Sequence, residues 1–235
     1  MYIYLIINIL TISFPLLRSF EDKIAYASKW KYLLPAIFIT GFFFIIWDHL
    51  FTKAGVWGFN NNYILGLYIL SLPLEEWLFF LSVPFACVFI YEVVKYFIKA
   101  DPLIKISPFI IFVLIIILIV GALLHTDKIY TTLTFSFTAV FLIVHWMLFK
   151  NNIFGIFFIS YIFHLIPFFV INGLLTSLPV VHYNNAENLG IRLFTIPVED
   201  AVYSFLLLLM NITIYEFLML KRKSKIKEPK VEEAR

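Results

Sequence analysis

Seven apolar runs, most of them long enough to cross roughly 30 Å of hydrocarbon, constrain this chain more than anything else in it. They fall near residues 2–17, 33–51, 74–98, 107–124, 130–149, 153–172 and 198–220. Of 235 residues, 62% are hydrophobic and only 14% charged. That is too little polar material to coat a water-soluble domain of this length, so lipid is the solvent to expect. The predicted class is all-α, a polytopic membrane protein of about seven transmembrane helices. The first run, "MYIYLIINILTISFPLL", has no basic segment ahead of it and no small-residue cleavage site. It reads as a retained helix, not a signal peptide.

The basic residues test this count independently. With seven crossings, Lys53, Lys128 and Arg192 share a side with the N-terminus. The other fifteen of the 18 lysines and arginines lie opposite, from Arg18, Lys23, Lys29 and Lys31 through Lys95, Lys99, Lys105 and Lys150 to seven in the tail. The positive-inside rule then puts the N-terminus outside and the C-terminus in the cytoplasm of a multi-pass cell-membrane protein. Residues 221–235, "KRKSKIKEPKVEEAR", read as a basic tail beside anionic headgroups. The net charge of +3 does not point to nucleic acid, because the basic residues flank the membrane and are not interleaved with exposed aromatics. A single cysteine, Cys87, excludes an intrachain disulfide and a cysteine-based metal cluster; it reads as a small buried apolar residue.

Sliding the chain against itself by 124 residues exposes an internal repeat. From 50 to 92, 12 of 43 positions are identical, including Asn60, Asn61, Gly66, Pro73, Glu75, Tyr91 and Glu92 against Asn184, Asn185, Gly190, Pro197, Glu199, Tyr215 and Glu216. Shared leucines mean little in a membrane protein; shared Asn-Asn, Gly, Pro and Glu mean more. Helices 1–3 thus repeat as helices 5–7, with helix 4 as connector. Partners four crossings apart point the same way, so the repeat is parallel about an axis along the membrane normal, unlike the inverted repeats of many transporters. The modules expected are 1–100 and 126–220, joined by 101–125 and followed by the tail.

The repeat carries "PLEEW" and "PVEDA" to the same membrane depth. Pro73 and Pro197 suit the first turn of a helix, which puts Glu75, Glu76, Glu199 and Asp200 just inside two helix starts. Such acids can simply complement the positive end of the helix. A headgroup-level cap needs no duplication, however, which favours a functional role for the repeated pair. Phe79 and Phe80 stand one turn on from Glu75 and Glu76, and Tyr203 one turn on from Glu199. An acid beside an aromatic face suits a proton donor next to a place where positive charge forms. Asp48, His49, His145, His164, Asn172 and Asn211 are further polar residues within spans. Of these, His145 and His164 read as interior hydrogen-bonding residues. Glu92 and Glu216, near the cytoplasmic edge, either snorkel outward or bond neighbouring helices.

No G-x-G-x-x-G, Walker loop, G-x-S-x-G or H-E-x-x-H motif occurs, nor an aspartate-rich diphosphate motif. A retinal protein is excluded because 198–220 holds no lysine for a Schiff base. No cofactor is identified in the sequence, since nothing resembles a dinucleotide-binding motif.

The residues that remain resemble a known family. "WDHLFTKAGVWGFNNNYILG" (47–66) followed by "LPLEEWLFF" is similar to the first module of the small integral-membrane lycopene cyclases, and "YNNAENLGIRLFTIPVEDAVYSFLLLLMNITIYEF" (183–217) to the second. In some bacteria the modules are separate subunits; in archaea and fungi they are fused. The resemblance implies non-redox cyclisation of the open ends of lycopene to β-rings, giving γ- and then β-carotene. A proton goes to the terminal double bond, an internal double bond attacks the tertiary cation, and a ring proton leaves. Such chemistry needs an acid held protonated among apolar helices and aromatic faces without water.

On this reading Glu75 and Glu199 rank first as catalytic acids because they are identical in both repeats. Glu76 and Asp200 follow as relay or counter-charge, with Asp48 in support and Phe79, Phe80, Tyr203 and Trp57 facing the cation. The partners implied are a lipid-soluble carotenoid, the membrane and other enzymes of the carotenoid pathway, with no nucleic acid. Two alternatives stay open: a cyclase of a C50 carotenoid or of another ring type, and a transporter using Glu75, Glu199 and Asp48 as a proton or cation path.

Overall fold

A bilayer leaves few ways to satisfy backbone hydrogen bonds, and the helix, which satisfies them within one segment, is the one used here. The computed structural model describes residues 2–149 and 153–227; Lys150 and the tail beyond Lys227, which entered the charge argument, lie outside the described residues. Within them are seven α-helices: α1 (Ile3–Arg18), α2 (Trp30–Lys53), α3 (Leu74–Phe97), α4 (Ser107–Leu124), α5 (Ile129–Phe149), α6 (Phe154–Ser177) and α7 (Val198–Lys227). The six from α2 to α7 are long and apolar enough to cross a membrane, so this is a multi-pass membrane protein. With 16 residues, α1 spans only about 24 Å at 1.5 Å per residue.

Between the helices lie short strands that no apolar pattern announces. They are β1 (Trp57–Phe59), β2 (Tyr68–Ile69), β3 (Leu72–Pro73), β4 (Val181–Tyr183), β5 (Arg192–Leu193) and β6 (Ile196–Pro197). β2–β3 and β5–β6 form two small hairpins. β1 pairs antiparallel with β4, Trp57 opposite Tyr183, Gly58 opposite His182 and Phe59 opposite Val181. Residues 124 apart therefore cross over symmetrically about the Gly58–His182 pair, which marks the pseudo-two-fold axis of the repeat.

The repeated residues now have local reasons. Asn60 Oδ1 accepts from the Asn62 amide, and Asn184 Oδ1 from the Ala186 amide, both at 3.0 Å; such side-chain turns are what asparagine does well. Gly66 and Gly190 take left-handed φ of 78° and 71°, where a side chain is disfavoured. Leu70 and Phe194, at φ 59° and 60°, turn the tips of the two hairpins.

α3 and α7 meet at the centre of the bundle. α3 also packs on α1, α2 and α6, while α7 packs on α5 and α2, and α4 leans on α5. At the end of the bundle away from the hairpins, the Tyr-Glu repeats bond across the axis. Lys95 bridges Glu92 (3.3 Å) and Glu216; Lys29 pairs with Glu92, and the Tyr215 hydroxyl donates to Glu92 at 3.0 Å. Glu92 does not snorkel; it is buried. Replacing Lys95 by Met leaves Glu216 without that lysine and takes one cation from Glu92. Detergent-solubilised Lys95→Met should unfold at a lower temperature, with a loss of about 1.5–3 kcal/mol as expected for a hydrogen bond to a charged group.

Candidate active site

Each acid pair is set by the hairpin before it. Pro73 closes β3 and caps α3 from an extended conformation, and the Leu74 amide donates to Leu67 O at 2.8 Å. The second repeat copies this with the Val198 amide on Ile191 O at 3.1 Å. Consecutive helical residues point about 100° apart, so the two acids of each pair must face different surroundings.

Glu75 turns to the loop. Its Oε1 accepts from the Leu65 amide at 2.6 Å, as Glu199 Oε1 does from the Leu189 amide at 2.7 Å and the Thr131 hydroxyl at 2.6 Å. Both glutamates are 0% exposed, and the second carboxyl oxygen of each has no partner. They latch the hairpins to the helices.

Glu76 and Asp200 turn to the axis. Together with Asp48 they line a cavity of about 60 Å³. The rest of its wall is Tyr4, Trp57, Phe59, Phe79, Asn172, Leu175, Val181, Tyr183 and Tyr203. Five couples related by the repeat are present: Asp48 and Asn172, Trp57 and Val181, Phe59 and Tyr183, Glu76 and Asp200, Phe79 and Tyr203. The cavity therefore lies on the pseudo-two-fold, and both modules line it.

Tyrosines satisfy its carboxyls. Tyr4 donates to Glu76 at 2.5 Å, Tyr203 to Asp48 at 2.8 Å, and Tyr130 and Tyr183 to the two oxygens of Asp200 at 2.6 and 2.8 Å. Asp48 and Glu76 face the same small cavity. Two carboxyls sharing one buried site do not both ionise readily, which favours a proton on one of them. Asp200 is an acceptor at both ends. Burial, then the adjacent Asp200 carboxyl, holds the Tyr183 hydroxyl well above the usual phenol range, which keeps it a donor.

Aromatic rings back the cavity. Tyr203 packs edge-on to Phe44 at 4.9 Å and to Trp47 at 5.3 Å; Trp57 packs on Tyr130 at 5.1 Å, and Phe79 on Tyr4 at 6.2 Å. Of the aromatics singled out in the sequence, Phe79, Tyr203 and Trp57 reach the cavity wall, while Phe80 packs behind it on Phe44 at 6.1 Å. No sequence spacing singles out Tyr4, Tyr130 or Tyr183. Tyr4 and Tyr130 are equivalent at a spacing of 126, two more than the main repeat, a shift that a gap-free comparison misses. His145 and His164 bond within the bundle, to Thr213 at 2.9 Å and Cys87 at 3.0 Å. Among the described residues no group of three His, Cys, Asp or Glu side chains is arranged to hold a metal ion.

A family model described as lycopene cyclase matches residues 1–94 and 127–218, well over half of the chain and both repeats around the axial cavity. The chain belongs to the lycopene cyclase family. No curated protein matches it, and neither does any solved structure. As a carotenoid cyclase embedded among apolar helices, it acts on a lipophilic carotenoid, a substrate that shares its solvent. In this cyclase the hairpin latches give a direct test. Glu199→Ala should speed hydrogen exchange at the half-buried Leu189 amide and cost about 1–3 kcal/mol, chiefly by leaving the buried Thr131 hydroxyl without its acceptor. Glu199→Gln keeps an acceptor oxygen and should leave that amide protected.

Proposed function

We propose that this cyclase closes the linear ends of lycopene to β-rings, forming γ-carotene and then β-carotene, by acid catalysis without redox change. The observation that carries this reading is the axial cavity: Asp48 and Glu76 each held by one phenol and Asp200 by two, within aromatic walls. A proton held at the neighbouring Asp48 and Glu76 carboxyls is the acid. It adds to the terminal double bond and leaves a tertiary carbocation. The internal double bond attacks that cation, forming the ring bond and moving the positive charge into the ring. Asp200 then removes a ring proton and restores a double bond. One proton enters and one leaves, so substrate and product are isomers.

Aromatic faces stabilise a cation by about 0.5–2 kcal/mol each, and Tyr203, Trp57 and Phe79 offer them here. Packing among apolar helices withholds the water that would trap the cation. Glu75 and Glu199 take the positioning role in this scheme, since each holds a hairpin that fixes its neighbouring acid. The sequence ranks them first by their identity, which is also what a latch needed twice requires. A single axial cavity takes one end of the polyene at a time, so γ-carotene should precede β-carotene in a time course. The lysine-rich end of the bundle faces the cytoplasm on the positive-inside rule.

Pigment analysis in lycopene-accumulating cells tests the scheme. Glu76→Gln and Asp200→Asn should each lower β-ring formation at least about 10²-fold, the lower end of what a positioned acid or base contributes, while the protein still inserts. Glu75→Gln should retain more activity than Glu76→Gln. Normal β-carotene from both axial variants would refute the assignment. A wild-type product with another ring type, or turnover confined to C50 carotenoids, would refute the β-ring reading.

A further inference from the structure

A second and much larger space adjoins the axial cavity. It is a groove of about 960 Å³ between α1, α3 and α6, at the top of the roughly 300–1,000 Å³ range of small-molecule sites. Asn172 lines both spaces. One turn along each helix leads from one to the other: Tyr4 to Ile7 on α1, Phe79 to Val83 on α3, Leu175 to Ile171 on α6. Along α3 the groove runs from Val83 to Ile98, about 22 Å at 1.5 Å per residue. That shape suits an extended chain and not a compact molecule.

Its wall is hydrocarbon. The polar side chains in it are mostly turned aside: Thr11 donates to Ile7 O at 2.7 Å, Asn172 to Phe168 O at 3.3 Å, and Cys87 pairs with His164 Nδ1 at 3.0 Å. His164 is 4% exposed, and its Nε2 has no partner. With the Cys87 thiol donating to Nδ1, Nε2 carries the hydrogen. A polyene π-face would accept it, weakly, as a saturated lipid tail would not.

We infer that this groove holds the unreacted arm of the linear polyene while the opposite end lies among Asp48, Glu76 and Asp200. The inference rests on the axial cavity being the site of proton transfer. The groove also explains an asymmetry in the bundle. α5, the counterpart of α1, has 21 residues and carries α4 against it; α1 stops at 16 and leaves its side open to lipid. The substrate therefore slides in from the bilayer between α1 and α6, one end leading. The second ring requires it to leave and return reversed.

The test uses Glu76→Gln as a trap, purified in mild detergent from lycopene-accumulating cells, with bound lycopene read by visible absorption. Lycopene should co-purify with Glu76→Gln. Adding Ala86→Trp, or separately Val170→Trp, should lower the bound amount by about tenfold or more, equivalent to roughly 1.4 kcal/mol. Val170 is 57% exposed on α6, so tryptophan there fills the groove without entering the core. Both double variants should elute at the same size and unfold at the same temperature as the trap. Undiminished lycopene in the Val170→Trp double variant, or none in the trap while lipid co-purifies, overturns the groove and leaves the acid assignment standing. Normal β-carotene from Glu76→Gln overturns the acid assignment instead.

Discussion

Three buried carboxyls facing one cavity impose the condition that the rest of this bundle obeys. A buried polar group without a partner costs on the order of 1–3 kcal/mol, and more when charged, and a helix in lipid has no water to fall back on. Asp48, Glu76 and Asp200 therefore need donors supplied by other elements. Tyr4 comes from α1, Tyr130 from α5, Tyr183 from β4 and Tyr203 from α7. Each bond ties an outer element to the central pair α3 and α7. The hairpins serve the same condition from the other side. By latching onto Glu75 and Glu199, they close the end of the bundle where the acids would otherwise meet headgroups and water.

Much of this is legible in the sequence. Span lengths fixed the class, and the 124-residue repeat fixed which helices correspond, because both depend on patterns that persist over tens of residues. Asn60, Gly66, Pro73 and Glu75 were also visible as repeated residues, and all four turn out to shape the hairpin and its attachment. What stayed hidden was anything set by crossing distance. Tyr203 and Asp48 are 155 residues apart and Tyr130 and Asp200 are 70 apart; no local spacing relates them. The pairing of β1 with β4 was invisible for the same reason, since three-residue strands carry no period worth reading.

The repeat also divides its residues into two groups. Residues identical in both halves are those that both halves need for folding: the turn asparagines, the left-handed glycines, the latching glutamates, the Tyr-Glu pairs bonded across the axis. Every couple that lines the axial cavity has diverged instead: Asp48 against Asn172, Trp57 against Val181, Phe59 against Tyr183, Glu76 against Asp200, Phe79 against Tyr203. Ranking acids by identity between repeats therefore selects latches. Ranking by difference at equal depth selects the cavity.

That divergence is what the proposed chemistry demands. A proton donor and a proton acceptor cannot be chemically equivalent at the same moment, and two-fold symmetry across one cavity would make them so. A symmetric ancestor could offer matched carboxyls that compete for the same proton. Here one half sets Asp48 and Glu76 on the same cavity, where the proposed scheme keeps its proton, while the other half surrounds Asp200 with Tyr130 and Tyr183. Phe79 leaves a bare face where Tyr203 carries a hydroxyl committed to Asp48. The open groove beside the short α1 breaks the symmetry a third time, giving the substrate one direction of approach. Duplication supplied an axial cavity between two modules; the substitutions along that axis make its two sides different, which is what proton transfer in one direction would require.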